Sequence, residues 1–296
     1  MHSPGAFEFH RELSDQSIVS IALGRESRIA VVAQEPWMHD GTTWRKLPLP
    51  ANLRAPAGST DRLQVFFGRD DRPRLMGVRR PDGATDPRTG SAVYLRWRDE
   101  RWATARSEIG KLGGAPEGPL WGVLGEDDPE VACKVGDVCI IKRRTGWTTI
   151  PALEPFARGY LCSGQPYATE ASRVYRLDNS AWQPLFVSAP FHAPLTGFWA
   201  QSNEVQWVSV AGENALYRYA NSTWTRFDSP VGAPEQLWGS GPNDVWVVGR
   251  DGAGHFDGTT WLCVEGIEGP LTEVVGRKSG EVWFGGGSGL WHGTGD

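Results

Sequence analysis

Reactive side chains are scarce in this chain of 296 residues, which holds only 6 tyrosines, 6 histidines, 4 cysteines and 3 methionines. The cysteines, Cys133, Cys139, Cys162 and Cys263, form no CxxC pair and have no histidine close in sequence. That excludes the usual zinc spacings, so no metal is expected and the thiols read as ordinary buried ones. No block of lysine or arginine stands out, and 30 basic against 35 acidic residues leave a net charge of −5. A nucleic-acid partner, which needs phosphate-neutralising charge, is therefore not expected. No apolar run approaches the roughly 18 residues of a membrane span. The opening MHSPGAFEFHRELS lacks the apolar core of a signal peptide, and the expectation is a soluble, cytoplasmic chain. GxSxG, HExxH and phosphate-loop motifs are missing, and the run Gly285–Gly289 is followed by no lysine, so no cofactor is expected.

What the chain does have is glycine, 37 residues, and tryptophan, 15. Both concentrate in one repeated pattern, clearest in Gln236–Trp261, QLWGSGPNDVWVVGRDGAGHFDGTTW. Three short apolar runs alternate with polar turns, and a tryptophan closes the unit. The closing tryptophans are Trp44, Trp102, Trp147, Trp182, Trp224 and Trp261, at intervals of 58, 45, 35, 42 and 37 residues. Repeats of about 40 to 50 residues with this composition are those of four-stranded propeller blades. First runs number seven (Ile18–Gly24, Leu63–Gly68, Leu120–Gly125, Gly159–Cys162, Gly197–Ala200, Leu237–Gly239 and Leu271–Gly276), but the seventh unit ends before its tryptophan strand is due. Upstream of the first unit, Ala6–Leu13 has no unit of its own. Circular closure reconciles the two: the N-terminal segment supplies the last outer strand, with Phe7, Phe9 or His10 in the tryptophan position, and no sheet edge is left free. The expected fold is all-β, a seven-bladed β-propeller forming a single domain over residues 1–296. The closing tryptophans, with Trp121, Trp199 and Trp238 of the first runs, are expected to pack between sheets. His39, His255 and His292 are read as copies of one third-strand position.

The turns before the closing tryptophans carry residues that tolerate left-handed backbone, as in Asp40-Gly41, Asp178-Asn179 and Asp257-Gly258. The units resemble the Trp- and Gly-rich repeats of bacterial β-propellers. His39–Trp44, HDGTTW, and Phe256–Trp261, FDGTTW, also resemble Asp-box hairpins shortened by one position. Asp-boxes occur in sialidases, receptors and assembly factors alike and are structural turns. The resemblance therefore implies the architecture and not an activity.

In a propeller, connections from a fourth strand to the next blade share a face with the second-to-third turns. The long connections here are of those kinds: Pro48–Asp61, Ala103–Pro119, Leu185–Pro194 and the insertion Arg79–Ala92, RRPDGATDPRTGSA. Long loops on a rigid scaffold are where binding concentrates. The expectation is a non-catalytic module that binds a protein partner through this face, with Arg79, Arg80, Asp82, Asp86 and Arg88 as its candidate contacts. The channel mouth offers Gln64, Arg158, Tyr160, Gln236 and Glu273. The alternatives are a carbohydrate-binding propeller, which would present tryptophan or tyrosine rings to sugar faces, and a sialidase-like hydrolase. The hydrolase needs an arginine cluster and a tyrosine nucleophile with an acidic partner, and only Arg158 with Tyr160 suits it.

Overall fold

Short apolar runs punctuated by glycine, asparagine and aspartate give one four-stranded antiparallel sheet after another in this computed structural model. It describes residues 7–13, 16–24, 29–32, 35–49, 64–67, 72–79, 91–104, 122–123, 130–135, 138–143, 146–151, 158–162, 165–179, 181–185, 189–277 and 280–295.

Among these the strands run, in chain order, from β1 (Glu8–Leu13). β2 (Ser20–Leu23), β3 (Ile29–Val32), β4 (Pro36–His39) and β5 (Trp44–Lys46) pair in sequence as a sheet. The next is β6 (Gln64–Phe67), β7 (Pro73–Arg79), β8 (Ser91–Arg98) and β9 (Arg101–Thr104). It is followed by β10 (Gly122–Val123), β11 (Glu130–Val135), β12 (Val138–Arg143) and β13 (Gly146–Pro151), and by β14 (Arg158–Cys162), β15 (Gln165–Glu170), β16 (Arg173–Asp178) and β17 (Ala181–Pro184). Then come β18 (Leu195–Ala200), β19 (Gln206–Val210), β20 (Ala215–Ala220) and β21 (Thr223–Asp228), and β22 (Gln236–Gly241), β23 (Asp244–Gly249), β24 (Gly252–Phe256) and β25 (Trp261–Cys263). The last sheet joins β26 (Leu271–Arg277), β27 (Glu281–Gly286) and β28 (Gly289–Thr294) to β1, in the order β1-β28-β27-β26. The chain divides into one unit of Met1–Ile21, Ala171–Val174 and Pro184–Asp296, and a second of Ala22–Glu170 and Tyr175–Gln183.

The register makes the repeat explicit. On the fourth strand the closing tryptophan lies opposite one third-strand position: Trp44 opposite His39, Trp102 opposite Trp97, Trp224 opposite Tyr219 and Trp261 opposite Phe256. In the last sheet the same two positions hold Phe9 and Gly293. A Cβ on Gly293 would stand 2.4 Å from the Phe9 ring, so the glycine is what makes room for it. His39 thus matches Phe256 and not His255. The expected equivalence of three histidines reduces to two, His255 opposite Trp246 and His292 opposite Trp283, because HDGTTW and FDGTTW align residue for residue.

Both shortened hairpins fold alike. One Asp40 carboxylate oxygen accepts the Thr42 and Thr43 amides at 2.9 and 3.0 Å, and Asp257 does the same for Thr259 and Thr260 at 2.8 and 2.9 Å. Gly41 and Gly258 take the positive φ of 103° and 97° that these turns require. The Thr42 hydroxyl, then the Thr43 and Thr42 amides, hold the Asp40 carboxyl far below the usual carboxylate range; the Thr260 and Thr259 amides lower Asp257.

Burial concentrates between sheets. In the first unit Trp246, Val248, Leu271, Val274, Val282 and Phe284 form a core that Phe7 and Phe9 cover. In the second, Leu47, Leu49, Val65, Leu75, Leu95, Trp97 and Trp102 form another, and the Trp102 indole donates to the Leu47 carbonyl at 3.3 Å. The closing tryptophans differ in depth: Trp102 and Trp261 are buried, whereas Trp44, Trp182 and Trp224 are half-buried. Deeper still are the second-strand rings Trp207, Trp246 and Trp283, at 0%, 2% and 3% exposure.

Candidate functional site

The second-strand tryptophans organise the most strongly polar clusters of the first unit. In β23 an aspartate precedes the tryptophan by two residues, so both lie on one face of the strand. Asp244 Oδ1 accepts the Trp246 indole N–H at 3.0 Å and meets His255 Nε2 at 2.7 Å. The imidazole lies stacked on the indole, centroids 4.0 Å apart, and the Ser240 hydroxyl donates to the other carboxylate oxygen. The last sheet repeats this with Glu281, Trp283 and His292. The indole donates to Glu281 Oε1 at 2.9 Å, the rings stack at 3.9 Å, and Arg277 pairs with the second oxygen. Burial alone would push the Asp244 carboxyl up. Hydrogen bonds from His255, Ser240 and Trp246, with the charge of His255, hold it below the ordinary carboxylate range instead. In the sheet of β18–β21 an arginine takes the histidine position, with Arg218 over the Trp207 ring at 5.8 Å.

A carboxylate holding an imidazole resembles the base and orienter of an acyl-transfer site. The connectivity here differs: the serine donates to the carboxylate and not to the imidazole, and Phe7 covers the His255 ring edge-on at 5.9 Å. These clusters link second and third strands within a sheet. Nothing in the sequence reading singled them out. Their signal was available in the repeated Asp-Val-Trp of 244–246 and Glu-Val-Trp of 281–283.

Tyrosine–carboxylate pairs also recur. Tyr175 donates to Glu170 at 2.8 Å and Tyr217 to Glu213 at 2.6 Å. Tyr217 has Arg226 opposite it in the ladder, so tyrosine, acid and arginine do meet. Desolvation, then the bond to Glu213, raises the Tyr217 hydroxyl above its ordinary value. A nucleophilic phenol needs the reverse shift. Buried Tyr167 is likewise pushed up to about 12, first by desolvation and then by Cys162.

The channel-mouth candidates lie on first strands. Gln236 and Glu273 occupy matching positions, opposite Val248 and Gly285. The Gln236 side-chain oxygen accepts the Val274 amide at 2.7 Å, so it ties one inner strand to the next. Arg158 and Tyr160 share one face of β14, opposite Thr169 and Tyr167. Gln64 opens β6 opposite Met76. Arg79 closes the β7–β8 ladder opposite Ser91, at the base of the insertion. Arg80, Asp82, Asp86 and Arg88 lie outside the described residues, as does Trp121.

In the first unit, the two classes of connection do share a side. The Arg250 amide donates to Gly232 at 2.7 Å and the Gly287 amide to Pro270 at 2.9 Å, each joining a second-to-third turn to an inter-sheet connection. Asp251 accepts the Gly232 amide at 3.1 Å, and a Cβ on Gly252 would stand 2.4 Å from the Ile267 carbonyl. On the other side, Asn243 of the first turn packs on Gly258 of the third. Among the described residues no group of three or more His, Cys, Asp or Glu side chains converges as a metal site, and no helix is long and apolar enough to cross a membrane.

No family model and no curated protein matches the chain. Solved structures do. YCF48 bound to D1 peptide aligns over 100% of this chain and 98% of its own, at 18% identity and a TM-score of 0.68. Virginiamycin B lyase from Staphylococcus aureus aligns over 98% and 99%, at 12% identity and 0.66. The WD40 β-propeller domain of Doa1 aligns over 98% and 95%, at 9% identity and 0.60. The fold is that of a β-propeller. At these identities the likeness reaches the fold and stops short of activity, and the propellers it joins include both a peptide-bound protein and a lyase.

Proposed function

We propose that this chain is a non-catalytic β-propeller of seven blades that binds a protein partner through its long-loop face. Seven four-stranded sheets support the blade number, and the pairing of β1 with β28 supports closure of the last blade by the N-terminal strand. The observation that carries the binding reading is the likeness to YCF48 bound to D1 peptide over essentially the whole of both chains. Binding a peptide needs no reactive groups. The state of those groups favours the same reading: the Tyr217 phenol is raised, and the Ser240–Asp244–His255 order is wrong for a nucleophile. The contacts are those of the insertion after β7, from Arg79 through Arg80, Asp82, Asp86 and Arg88, whose mixed charge suits a polar peptide. A lyase-like catalytic reading is favoured only by the fold it shares with virginiamycin B lyase.

The test uses the hairpin itself. Replacing residues 80–90 by Asn-Gly keeps Arg79 opposite Ser91 across a two-residue turn. The expected result is an unchanged melting temperature and loss of the proteins that the intact chain captures from native lysate. Equal capture by both forms rejects the insertion as the contact surface.

A further inference from the structure

We infer that the sheet of β18–β21 has a carboxylate-binding site at Arg218 and the Trp207 indole, filled by a carboxylate from outside the chain. Three of the described sheets carry a tryptophan on the second strand, each with one residue opposite it: His255 opposite Trp246, His292 opposite Trp283 and Arg218 opposite Trp207. Two residues before the tryptophan stand Asp244 and Glu281 in the first two cases and Val205 in the third. The first two sheets are complete in themselves. The acid accepts the indole N–H, at 3.0 Å from Trp246 and 2.9 Å from Trp283, and faces the imidazole on the ring. The third sheet has the donors without the acceptor. Trp207 is 0% exposed, and its indole N–H has no partner. Arg218 lies over the Trp207 and Phe256 rings, at 5.8 and 5.6 Å, with its Nε buried and unpaired. A buried donor gives up its water on folding, so one without an acceptor marks a missing partner.

Two donors, one of them permanently charged, call for an anionic acceptor, and the neighbouring sheets show which kind. A guanidinium offers parallel N–H groups that match the two oxygens of a carboxylate. The place opens to solvent, since the Asp244 side chain that fills it in the next sheet is 34% exposed. Here it is bounded by half-buried Val205 and by the exposed first-turn residues 201–204. Glu204 is exposed, and neither it nor any other described acid pairs with Arg218. The chain therefore supplies the cation and the indole but leaves the acid to a ligand. The site uses no residue of the insertion after β7, so it stands or falls apart from the partner surface proposed there.

The full chain, isotope-labelled, is titrated with sodium acetate and, at equal ionic strength, with sodium chloride, and the assigned Trp207 indole N–H signal is followed by NMR. The expected result is a saturable shift of that signal with acetate and none with chloride. Arg218→Gln should raise the half-saturating acetate concentration about ten-fold or more, the loss of a charge-assisted pair. Val205→Asp supplies the carboxylate from the chain itself, as Asp244 does in the next sheet. It should move the signal toward its acetate-bound position, abolish the response to acetate and raise the melting temperature. A blocked peptide, acetyl-Gly-Glu-Gly-amide, separates the sources. Half-saturation below that of acetate assigns the site to an acidic side chain of a peptide, and half-saturation above it to a free small carboxylate. An acetate response no different from that to chloride, one undiminished in Arg218→Gln, or a Val205→Asp variant that still responds to acetate would each overturn the site.

Discussion

The position of the N-terminal strand can be tested through one glycine. Gly293 stands where the sheets before it carry Phe256 and Tyr219, and Phe9 stands where they carry Trp261 and Trp224. Bulk has moved from the third strand to the fourth. An alanine methyl at residue 293 would lie 2.4 and 2.7 Å from two Phe9 ring carbons and 3.0 Å from Val282. Overpacking of this kind costs about 1 to 3 kcal/mol. Phe9→Ala removes a ring that meets Phe284 at 6.0 Å and Trp246 at 6.3 Å; because Phe9 is half-buried, its loss falls toward the low side of the range for large-to-small changes, about 2 to 3 kcal/mol. In the double variant the methyl has nothing to strike. Its penalty should nearly vanish, giving a coupling of about 1 to 2 kcal/mol between residues 284 positions apart in sequence. Urea unfolding followed by tryptophan fluorescence measures all four proteins. Strict additivity would refute the placement of Phe9 in the tryptophan position, and with it the closure of the last blade by β1.

Asp244→Asn should destabilise the protein at pH 7 by about 1 to 3 kcal/mol, since three donors lose a charged acceptor. The Asp244 carboxyl is lowered in the folded state, so its contribution is present above the unfolded value near 3.9 and disappears as pH falls through the folded one; the difference between variant and parent should shrink below about pH 4. Gly258→Ala should cost about 1 to 3 kcal/mol in urea unfolding, because φ is 97° and the new Cβ would meet Asn243 at 2.8 Å, whereas Gly212→Ala, with open space around it, should show the conformational cost alone. Acidification should release the hairpins at Asp40 and Asp257 later than ordinary carboxylates titrate, since both are lowered; amide chemical shifts of Thr42, Thr43, Thr259 and Thr260 that moved together at pH 4 would contradict the capping geometry.

Period and composition made the strand order legible because each blade repeats one physical solution: apolar runs of strand length, tight turns at Asp-Gly or Asp-Asn, and a ring to close the layer. The fourth unit was hardest to read near Tyr167, where β15 carries Tyr-Ala-Thr instead of a branched apolar run. The slot for Phe9 was not legible at all. Phe7, Phe9 and His10 all fit the pattern, and only the register with Gly293 chooses between them. The polar clusters escaped because each is spread over two strands. Asp244 and Trp246 are close in sequence, but His255 joins them only through the hairpin register. The long insertion has no periodicity to read, and its charged residues gave a surface without a geometry.

The clusters also show how a sheet can hold its second-strand tryptophan without using its loops. Trp246 and Trp283 are each fixed by a carboxylate at the indole nitrogen and an imidazole on the ring face, and Trp246 also by the apolar side chains of its core. Each such unit is completed by β-strands alone. The turn Asp257-Gly258 is completed by its own two threonine amides, and Gln236 links neighbouring inner strands through a side chain. None of these interactions draws on the insertion after β7. A sheet whose stability is settled within its strands tolerates any length of chain at the end of a hairpin, since lengthening a loop costs only slowly increasing closure entropy. The best-kept repeat, Gln236–Trp261, is accordingly the most fully engaged in holding itself together. The insertion proposed for recognition lies in a unit that departs from it.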